Sequence, residues 1–272
     1  MSIASFVLPS SRQSSAWVVL CHAFAADHRM WDGQIDWLRE HYHVLSYDLR
    51  GHGQSSIGQS SIGQSAIGTS ESAAAPCSLR DLEDEALGVM DQHGVAQATF
   101  IGLSLGGNIG LGLALRQPER ITQLVCCNAR GDMPPPARAS WDERMEIVRQ
   151  KGTAALIDMT LPRWLSETTR SQNPEIVALV GEMIAGTSSA GYLACAQALR
   201  DMAEVTGLES LRVPVAYVTG ELDFAAAPAA VEALAHKTPQ ASFDLVPGAS
   251  HLSNLDQPAA FHAILRQRLA LV

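Results

Sequence analysis

Ser104 lies in the pattern Gly-x-Ser-x-Gly, within the segment IGLSLGG. A serine in this pattern can act as the nucleophile of a covalent hydrolysis when a strand precedes it and a helix follows it. Both are predicted here, the strand in QATFIG and the helix in LGGNIGLGLALRQ. The turn between them strains the backbone at the serine, and Gly102 and Gly106 leave room for that turn. We therefore predict that Ser104 is a nucleophile; the alternative is an ordinary glycine-rich turn.

A histidine near the end of the chain can supply the base that Ser104 needs, because a serine hydroxyl is a weak nucleophile until a base accepts its proton. His251, in VPGASHLSNLDQP, follows the last predicted strand in a loop of small residues. His262 falls on the final predicted helix, where we expect a packing or surface role. Six other histidines show no pairing typical of a metal site, and we predict no metal; they are His28, His41, His43, His52, His93 and His236.

The imidazole in turn needs a carboxylate that fixes its tautomer and stabilises the cation it becomes. Asp223, in VTGELD, lies just beyond the strand before His251 and is our predicted acid. Glu221 and Asp132 also follow predicted strands and remain alternatives. With Asp223 as the acid, the chain order is serine, acid, histidine, which is typical of one large class of hydrolases.

Two backbone N–H groups should face the oxyanion that forms when Ser104 attacks a carbonyl. One is expected from Leu105, which directly follows the nucleophile. The other is expected from the loop after the strand WVVLC, where the chain reads HAFAADHRMW, and we nominate Phe24.

Strands and helices alternate around these residues, and the strands are apolar on both faces. This pattern is typical of an α/β fold in which helices cover both sides of a mostly parallel sheet. The predicted strands are WVVLC, HVLSYDLRG, QATFIG, ITQLVCCN, VPVAYVTG and ASFDLV.

The alternation stops at RGDMPPPARAS, where three consecutive prolines are expected to break regular structure. Residues 137–211 then show only helical patterning before strands resume. We therefore predict one core domain, formed by residues 1–130 and 212–272, with an inserted helical cap over residues 131–211.

A five-residue unit repeats three times in GQSSIGQSSIGQSAIG, residues 53–68. The repeat follows a strand and precedes a helix of the same core, so it does not join two domains. Serine, glycine and glutamine bury too little surface to fold alone. We predict an extended low-complexity loop over residues 53–76 that arose by duplication; a binding role near the site entrance is the alternative.

Composition narrows the class of protein. The 272 residues carry a net charge of −9, which argues against nucleic-acid and anionic-membrane partners. No uninterrupted apolar run is long enough for a membrane-spanning helix, and no signal peptide is evident. The five cysteines lack a C-x-x-C pair, so we expect reduced thiols in a cytoplasmic protein.

The chain resembles the α/β-hydrolase superfamily over nearly its whole length, and within it the 3-oxoadipate enol-lactonase group. The resemblance rests on VLSYDLRGHGQS, IGLSLGGNIG, LPRWLSE, GYLACAQALRD and GASHLSNLDQPAAF. It implies that Ser104, Asp223 and His251 are nucleophile, acid and base. It further implies that the substrate is an ester or lactone, with 3-oxoadipate enol-lactone as the best single candidate in aromatic-compound catabolism, and that no cofactor takes part.

An enol-lactone with a free carboxylate is expected to bind near a cation, since arginine matches a carboxylate with two parallel hydrogen bonds. Arg163, beside Trp164 in LPRWL, is our candidate, and Arg130 is the second; a solvated surface arginine is the alternative. Three other substrates fit the same residues: simple carboxylic esters, acyl-homoserine lactones, and ring-cleavage products split at a C–C bond. A small-molecule receptor that keeps the hydrolase fold and turns over slowly also remains open. The sequence does not predict an oligomeric state.

Overall fold

Seven strands form one sheet in the computed structural model, which describes residues 2–12, 14–57 and 77–270. The strands are β1 (Ser5–Leu8), β2 (Trp17–Cys21), β3 (His43–Tyr47), β4 (Ala98–Leu103), β5 (Ile121–Cys127), β6 (Val215–Gly220) and β7 (Ser242–Val246). Their order is β1-β3-β2-β4-β5-β6-β7. β1 pairs antiparallel with β3 and every other neighbouring pair is parallel, which confirms the predicted α/β fold.

Helices flank the sheet, and five of them lie between β5 and β6 in the chain. In order they are α1 (Asp32–Leu38), α2 (Leu79–Gln92), α3 (Leu105–Arg116), α4 (Pro135–Lys151), α5 (Ile157–Trp164), α6 (Glu167–Gln172), α7 (Pro174–Gly186), α8 (Ser189–Arg200), α9 (Pro228–Lys237), α10 (Ser253–Asp256) and α11 (Pro258–Arg268). The central strands β4 and β6 are buried along their whole length, whereas the edge strands β1 and β7 are only partly buried. This gradient follows from helices covering both faces of the sheet's centre.

Local sequence determines where two of the helices begin. Ser78 caps α2, accepting from the Asp81 N–H at 3.2 Å while the Asp81 carboxylate accepts from the Ser78 N–H at 2.8 Å. α4 begins at Pro135, so the prediction that three prolines interrupt regular structure was wrong for the second and third of them. A helix tolerates proline in its first turn because no N–H is required there.

The helices α4 to α8 occupy the part of the chain for which a cap was predicted, and the division into core and cap stays a prediction. Most of the predicted loop over residues 53–76 lies outside the described residues. Within the described ranges, no single helix has the length and apolarity to cross a membrane; α7 and α8 reach both only when counted together, across a bend of 94°.

Polar contacts at two sides attach this helical segment to loops of the rest of the chain. At one side, Gly51 and Gly191 meet backbone to backbone, where a β-carbon on Gly191 would lie 2.6 Å from the Cα of Gly51, and Ser188 donates its N–H to the Gly51 carbonyl at 2.9 Å. At the other side, the buried Asp256 carboxylate accepts from the Ser166 hydroxyl at 2.8 Å and from the Ser250 N–H at 2.6 Å. Ser250 is the residue before His251.

Candidate active site

The turn at Ser104 joins β4 to α3 and holds the residue at φ +57° and ψ −111°, a backbone conformation that side chains rarely adopt. Its N–H donates to the Cys127 carbonyl at 2.8 Å. A β-carbon on Gly102 would lie 2.1 Å from the Gly106 carbonyl oxygen, and one on Gly106 would lie 2.3 Å from the Cys21 carbonyl oxygen. Both glycines are therefore required by close backbone approach, as the spacing indicates.

Ser104, His251 and Asp223 form one hydrogen-bonded line. The Ser104 Oγ lies 2.9 Å from His251 Nε2, and His251 Nδ1 lies 2.9 Å from Asp223 Oδ2. His251 is 5% exposed and Asp223 is 3% exposed. The alternative acids lie elsewhere: Glu221 accepts from the Gly248 N–H at 2.9 Å, and Asp132 accepts from Arg130 at 2.6 Å.

Four donors converge on the Asp223 carboxylate. Oδ1 accepts from the N–H groups of Ala225 at 2.8 Å and Ala226 at 3.0 Å, while Oδ2 accepts from His251 and from the Asn128 side-chain amide at 2.8 Å. Burial by itself raises the pKa of Asp223, but the charge of His251 and the hydrogen bonds outweigh it and hold this pKa below its usual value. The carboxylate is therefore ionised at neutral pH.

Asn128 is a functional candidate that the sequence reasoning missed. It directly follows β5, has φ +49°, and accepts from the Ser253 hydroxyl at 2.6 Å while it donates to Asp223. Asn128 thus links the acid to the start of α10. The one signal available in the sequence was a polar residue at the carboxyl end of a buried strand, in CCN.

The backbone N–H groups of Phe24 and Leu105, the predicted oxyanion donors, differ from their neighbours in their hydrogen bonding. Leu105 opens α3, so its N–H has no acceptor within the helix. In the loop after β2, Ala25 donates its N–H to His52 Nε2 at 3.0 Å and Ala26 donates to the Ala23 carbonyl at 3.1 Å. Within the described part of the chain, the Phe24 N–H has no protein acceptor and stays available.

Two buried histidines, His52 and His22, hydrogen-bond to this loop and its neighbour, and burial favours the neutral form of both imidazoles. His52 donates from Nδ1 to the Arg50 carbonyl at 2.9 Å and accepts at Nε2 from Ala25. Burial lowers the pKa of His52 to about 3. His22 contacts the Ala23 carbonyl at 2.7 Å and accepts from the Leu49 N–H at 2.8 Å, and burial lowers its pKa as well.

A cavity of about 340 Å³ opens above Ser104 and His251. Its walls come from the loops that follow β2, β5 and β6 and from α4, α5 and α8. Trp164 lines it with its ring centroid 6.3 Å from that of His251. The arginines nominated from the sequence, Arg163 and Arg130, both line the cavity, and a third one, Arg144 on α4, joins them.

One group of side chains in the described residues has the spacing of a cation site: Asp27, His28 and Asp48. The carboxylate oxygens of this group already accept hydrogen bonds from protein donors. Both Asp27 oxygens accept from Arg29, and Asp48 accepts from His28 Nδ1 at 2.9 Å and from the Gln54 N–H at 2.8 Å. None of the three lines the cavity.

Comparison with known proteins gives a consistent result. Residues 16–258 match the family model described as alpha/beta hydrolase fold. 3-Oxoadipate enol-lactonase 2 of Acinetobacter baylyi is 28% identical over 248 residues, covering 91% of this chain and 86% of that protein. The crystal structure of the enol-lactonase from Burkholderia xenovorans LB400 superposes with a TM-score of 0.88 at 29% identity, covering 98% of this chain and 96% of that one. A thermophilic esterase from Thermogutta terrifontis, with malate bound, gives a TM-score of 0.86 at 25% identity over 98% of this chain and 93% of that one.

Proposed function

The chain belongs to the alpha/beta hydrolase family, and from that premise we propose that it cleaves its ester or lactone through an acyl-enzyme on Ser104, with 3-oxoadipate enol-lactone as the substrate. The observation that carries the reaction is the unbroken line of hydrogen bonds from Asp223 through His251 to Ser104, at 2.9 Å on each side of the imidazole.

The hydrogen bonds along this line run in the direction that attack by the serine requires. The ionised Asp223 accepts the Nδ1–H of His251, which leaves Nε2 unprotonated and facing the Ser104 hydroxyl. When the hydroxyl attacks the lactone carbonyl, its proton moves to Nε2, and Asp223 stabilises the resulting imidazolium. The imidazolium then protonates the enol oxygen that leaves, and a water activated by His251 releases the acid.

The tetrahedral intermediate needs two donors, and the N–H groups of Phe24 and Leu105 fit this role. Neither has a protein acceptor within the described residues, and they come from the two loops that meet at Ser104. Each such donor contributes about 10²–10³-fold in rate. His52 fixes the Phe24 loop through Ala25, so the donor is oriented before substrate arrives.

The choice of substrate rests on the relatives. The Acinetobacter protein is named as a 3-oxoadipate enol-lactonase and the Burkholderia structure is titled as an enol-lactonase, and both cover at least nine tenths of this chain. Opening the enol-lactone ring with water gives 3-oxoadipate once the enol becomes a ketone. A cavity of about 340 Å³ accommodates a small lactone of this kind.

The nucleophile is tested by replacing Ser104 with alanine. Hydrolysis of a 4-nitrophenyl ester should fall to background while the melting temperature stays unchanged, and a fluorophosphonate probe should label Ser104 of the unaltered chain, as read by mass spectrometry. Ser171→Ala, on the exposed face of α6, is the matched control and should keep full activity. Labelling at another residue would contradict the proposal.

The substrate is tested by kcat/KM for four compounds: the enol-lactone, a 4-nitrophenyl ester, an acyl-homoserine lactone and a ring-cleavage dienone. The enol-lactone should have the highest value. A higher kcat/KM for one of the other compounds would change the proposed substrate and leave Ser104 as the proposed nucleophile. A single burst of acyl transfer without further turnover would instead favour the receptor alternative.

A further inference from the structure

The charge of the cavity lining is opposite to that of the protein. The whole chain carries −9, yet the lining residues include three arginines and, among the described residues, no aspartate or glutamate. The three are Arg130, Arg144 and Arg163. A cavity of this sign favours an anionic occupant, because low-dielectric walls strengthen the attraction.

The three arginines are not equivalent. Arg130 is neutralised by Asp132, which accepts from its Nε at 2.6 Å and from its Nη2 at 3.4 Å. Within the part of the chain that the structure describes, Arg144 and Arg163 have no carboxylate within ion-pair distance. Two of the three arginines therefore have no ion-pair partner among the described residues.

Arg144 is the more deeply placed of these two. Its Nε is buried and has no hydrogen-bond partner among the described residues, and its guanidinium lies 5.3 Å from the ring centroid of Trp141. Burial, and after it the charge of Arg163, lowers the pKa of Arg144. A buried guanidinium nitrogen without a partner is costly, and an anion that accepts a hydrogen bond from it recovers this cost.

The position of Arg144 relative to the reacting groups follows from α4. The Trp141 ring packs edge-on against Phe24 with centroids 5.0 Å apart, and Phe24 belongs to the loop that holds the oxyanion donor. Arg144 follows Trp141 by three residues, so it lies on the same helix face one turn further on. A substrate whose carbonyl sits at Ser104 can thus extend its acyl chain along Trp141 to Arg144.

Arg163 lies nearer the rim. Its guanidinium stacks 5.0 Å from the ring centroid of Phe224, and Phe224 is 74% exposed. An anion that enters past Phe224 meets Arg163 first and Arg144 deeper in the cavity.

We propose that Arg144, assisted by Arg163, is a carboxylate-binding subsite that selects esters and lactones carrying a second, ionised carboxylate on the acyl side. The proposal deepens the function above and rests on Ser104 being the point of attack. Arg144 replaces Arg163 as the principal anion ligand, since its Nε is buried without a hydrogen-bond partner in the described residues, whereas Arg163 lies against the exposed Phe224.

Two substrates that differ only in charge test the subsite: 4-nitrophenyl hydrogen adipate, which is a monoanion at neutral pH, and its neutral methyl ester. The ratio of their kcat/KM values cancels any general effect on catalysis. The unaltered chain should prefer the anion by at least tenfold. Arg144→Gln should lose most of this preference, chiefly through KM, and Arg144→Lys should restore part of it.

Arg149→Gln is the matched control, because it removes the same charge from the same helix at an exposed residue paired with Glu146. It should leave the preference unchanged. Melting temperatures of the variants establish that they are folded, and that of Arg144→Gln should not fall because the charge removed is partly buried and has no ion-pair partner in the described part of the chain. Equal preferences in Arg144→Gln and Arg149→Gln would overturn the proposal.

Calorimetric titration of Ser104→Ala with adipate separates the subsite from the reaction. Adipate should bind at least tenfold more weakly after Arg144→Gln is added, whether or not the unaltered chain turns over either ester. Unchanged adipate binding would overturn the subsite and leave the proposed hydrolysis standing, whereas tight binding without turnover would support the subsite and reject the hydrolysis.

Discussion

Replacing Asp223 with asparagine probes the proposed mechanism at its most constrained point. The carboxylate accepts four hydrogen bonds, two at each oxygen. An amide offers a single oxygen, so two of the four donors must face an NH2 group instead. If the oxygen serves Ala225 and Ala226, the NH2 group faces His251 and forces the tautomer in which Nε2 carries the proton. That tautomer cannot accept the proton of Ser104.

The expected loss can be estimated from the contacts. A hydrogen bond to a charged group contributes about 1.5–3 kcal/mol, so two amount to about 3–6 kcal/mol. About 1.4 kcal/mol corresponds to a tenfold change in rate, and kcat should therefore fall by about 10²–10⁴-fold. A fall near the upper end is expected when the wrong tautomer of the base predominates.

The assay is kcat and KM for a neutral 4-nitrophenyl ester at pH 7, with single-turnover kinetics to isolate acylation. Asp244→Asn is the matched control, since Asp244 lies on β7 outside the cavity and its carboxylate pairs with Arg268 of α11. The control should stay within twofold of the unaltered chain. A folded Asp223→Asn variant that keeps kcat within tenfold would refute the assignment of Asp223 as the acid, and Glu221→Gln would then be measured next.

Two further predictions follow from the buried polar groups. Asn128→Ala removes one donor to Asp223 and should lower kcat about tenfold with little change in KM, in line with the loss of one charged hydrogen bond. In the double variant with Asp223→Asn the two losses in kcat should not add, and additive losses would show that Asn128 acts independently of Asp223. Stability should fall on acidification from about pH 6.5, because unfolded histidine binds a proton there whereas folded His52 stays neutral down to about pH 3. The free energy of unfolding, measured in urea, should drop by about 1.4 kcal/mol per pH unit for such a histidine. A free energy that stays constant between pH 6.5 and pH 5 would contradict the neutral form of His52.

Local patterns in the sequence were sufficient for the fold and for the turn at Ser104. Gly-x-Ser-x-Gly between a strand and a helix constrains the backbone directly, so five consecutive residues are enough to predict the turn. Asp223 and His251 could be nominated because the carboxyl ends of parallel strands meet at one edge of a sheet. Their catalytic roles stay predictions until the variants are measured.

Arg144 and Asn128 escaped the sequence reasoning for different physical reasons. Arg144 lies on a helix whose orientation over the cavity depends on packing between distant segments, which periodicity does not specify. The position of the Asn128 side chain depends on a positive φ just after β5, and the sequence does not indicate that this asparagine bonds to Asp223. The first turn of α4 was misjudged because proline was treated as a breaker at every position.

The attachments of the helical segment at Gly51 with Gly191 and at Asp256 with Ser166 limit which of its residues can be exchanged freely. Gly51 precedes His52, which accepts from Ala25 in the loop of the proposed oxyanion donor, and Asp256 accepts from Ser250, the residue before the proposed base. Displacing α8 or the N-cap of α6 would therefore disturb both proposed groups. Residues of α4 that face the cavity belong to neither attachment. Substituting Arg144, whose Nε bonds to no described residue, should therefore alter which substrates are accepted and leave the groups proposed to break the bond in place.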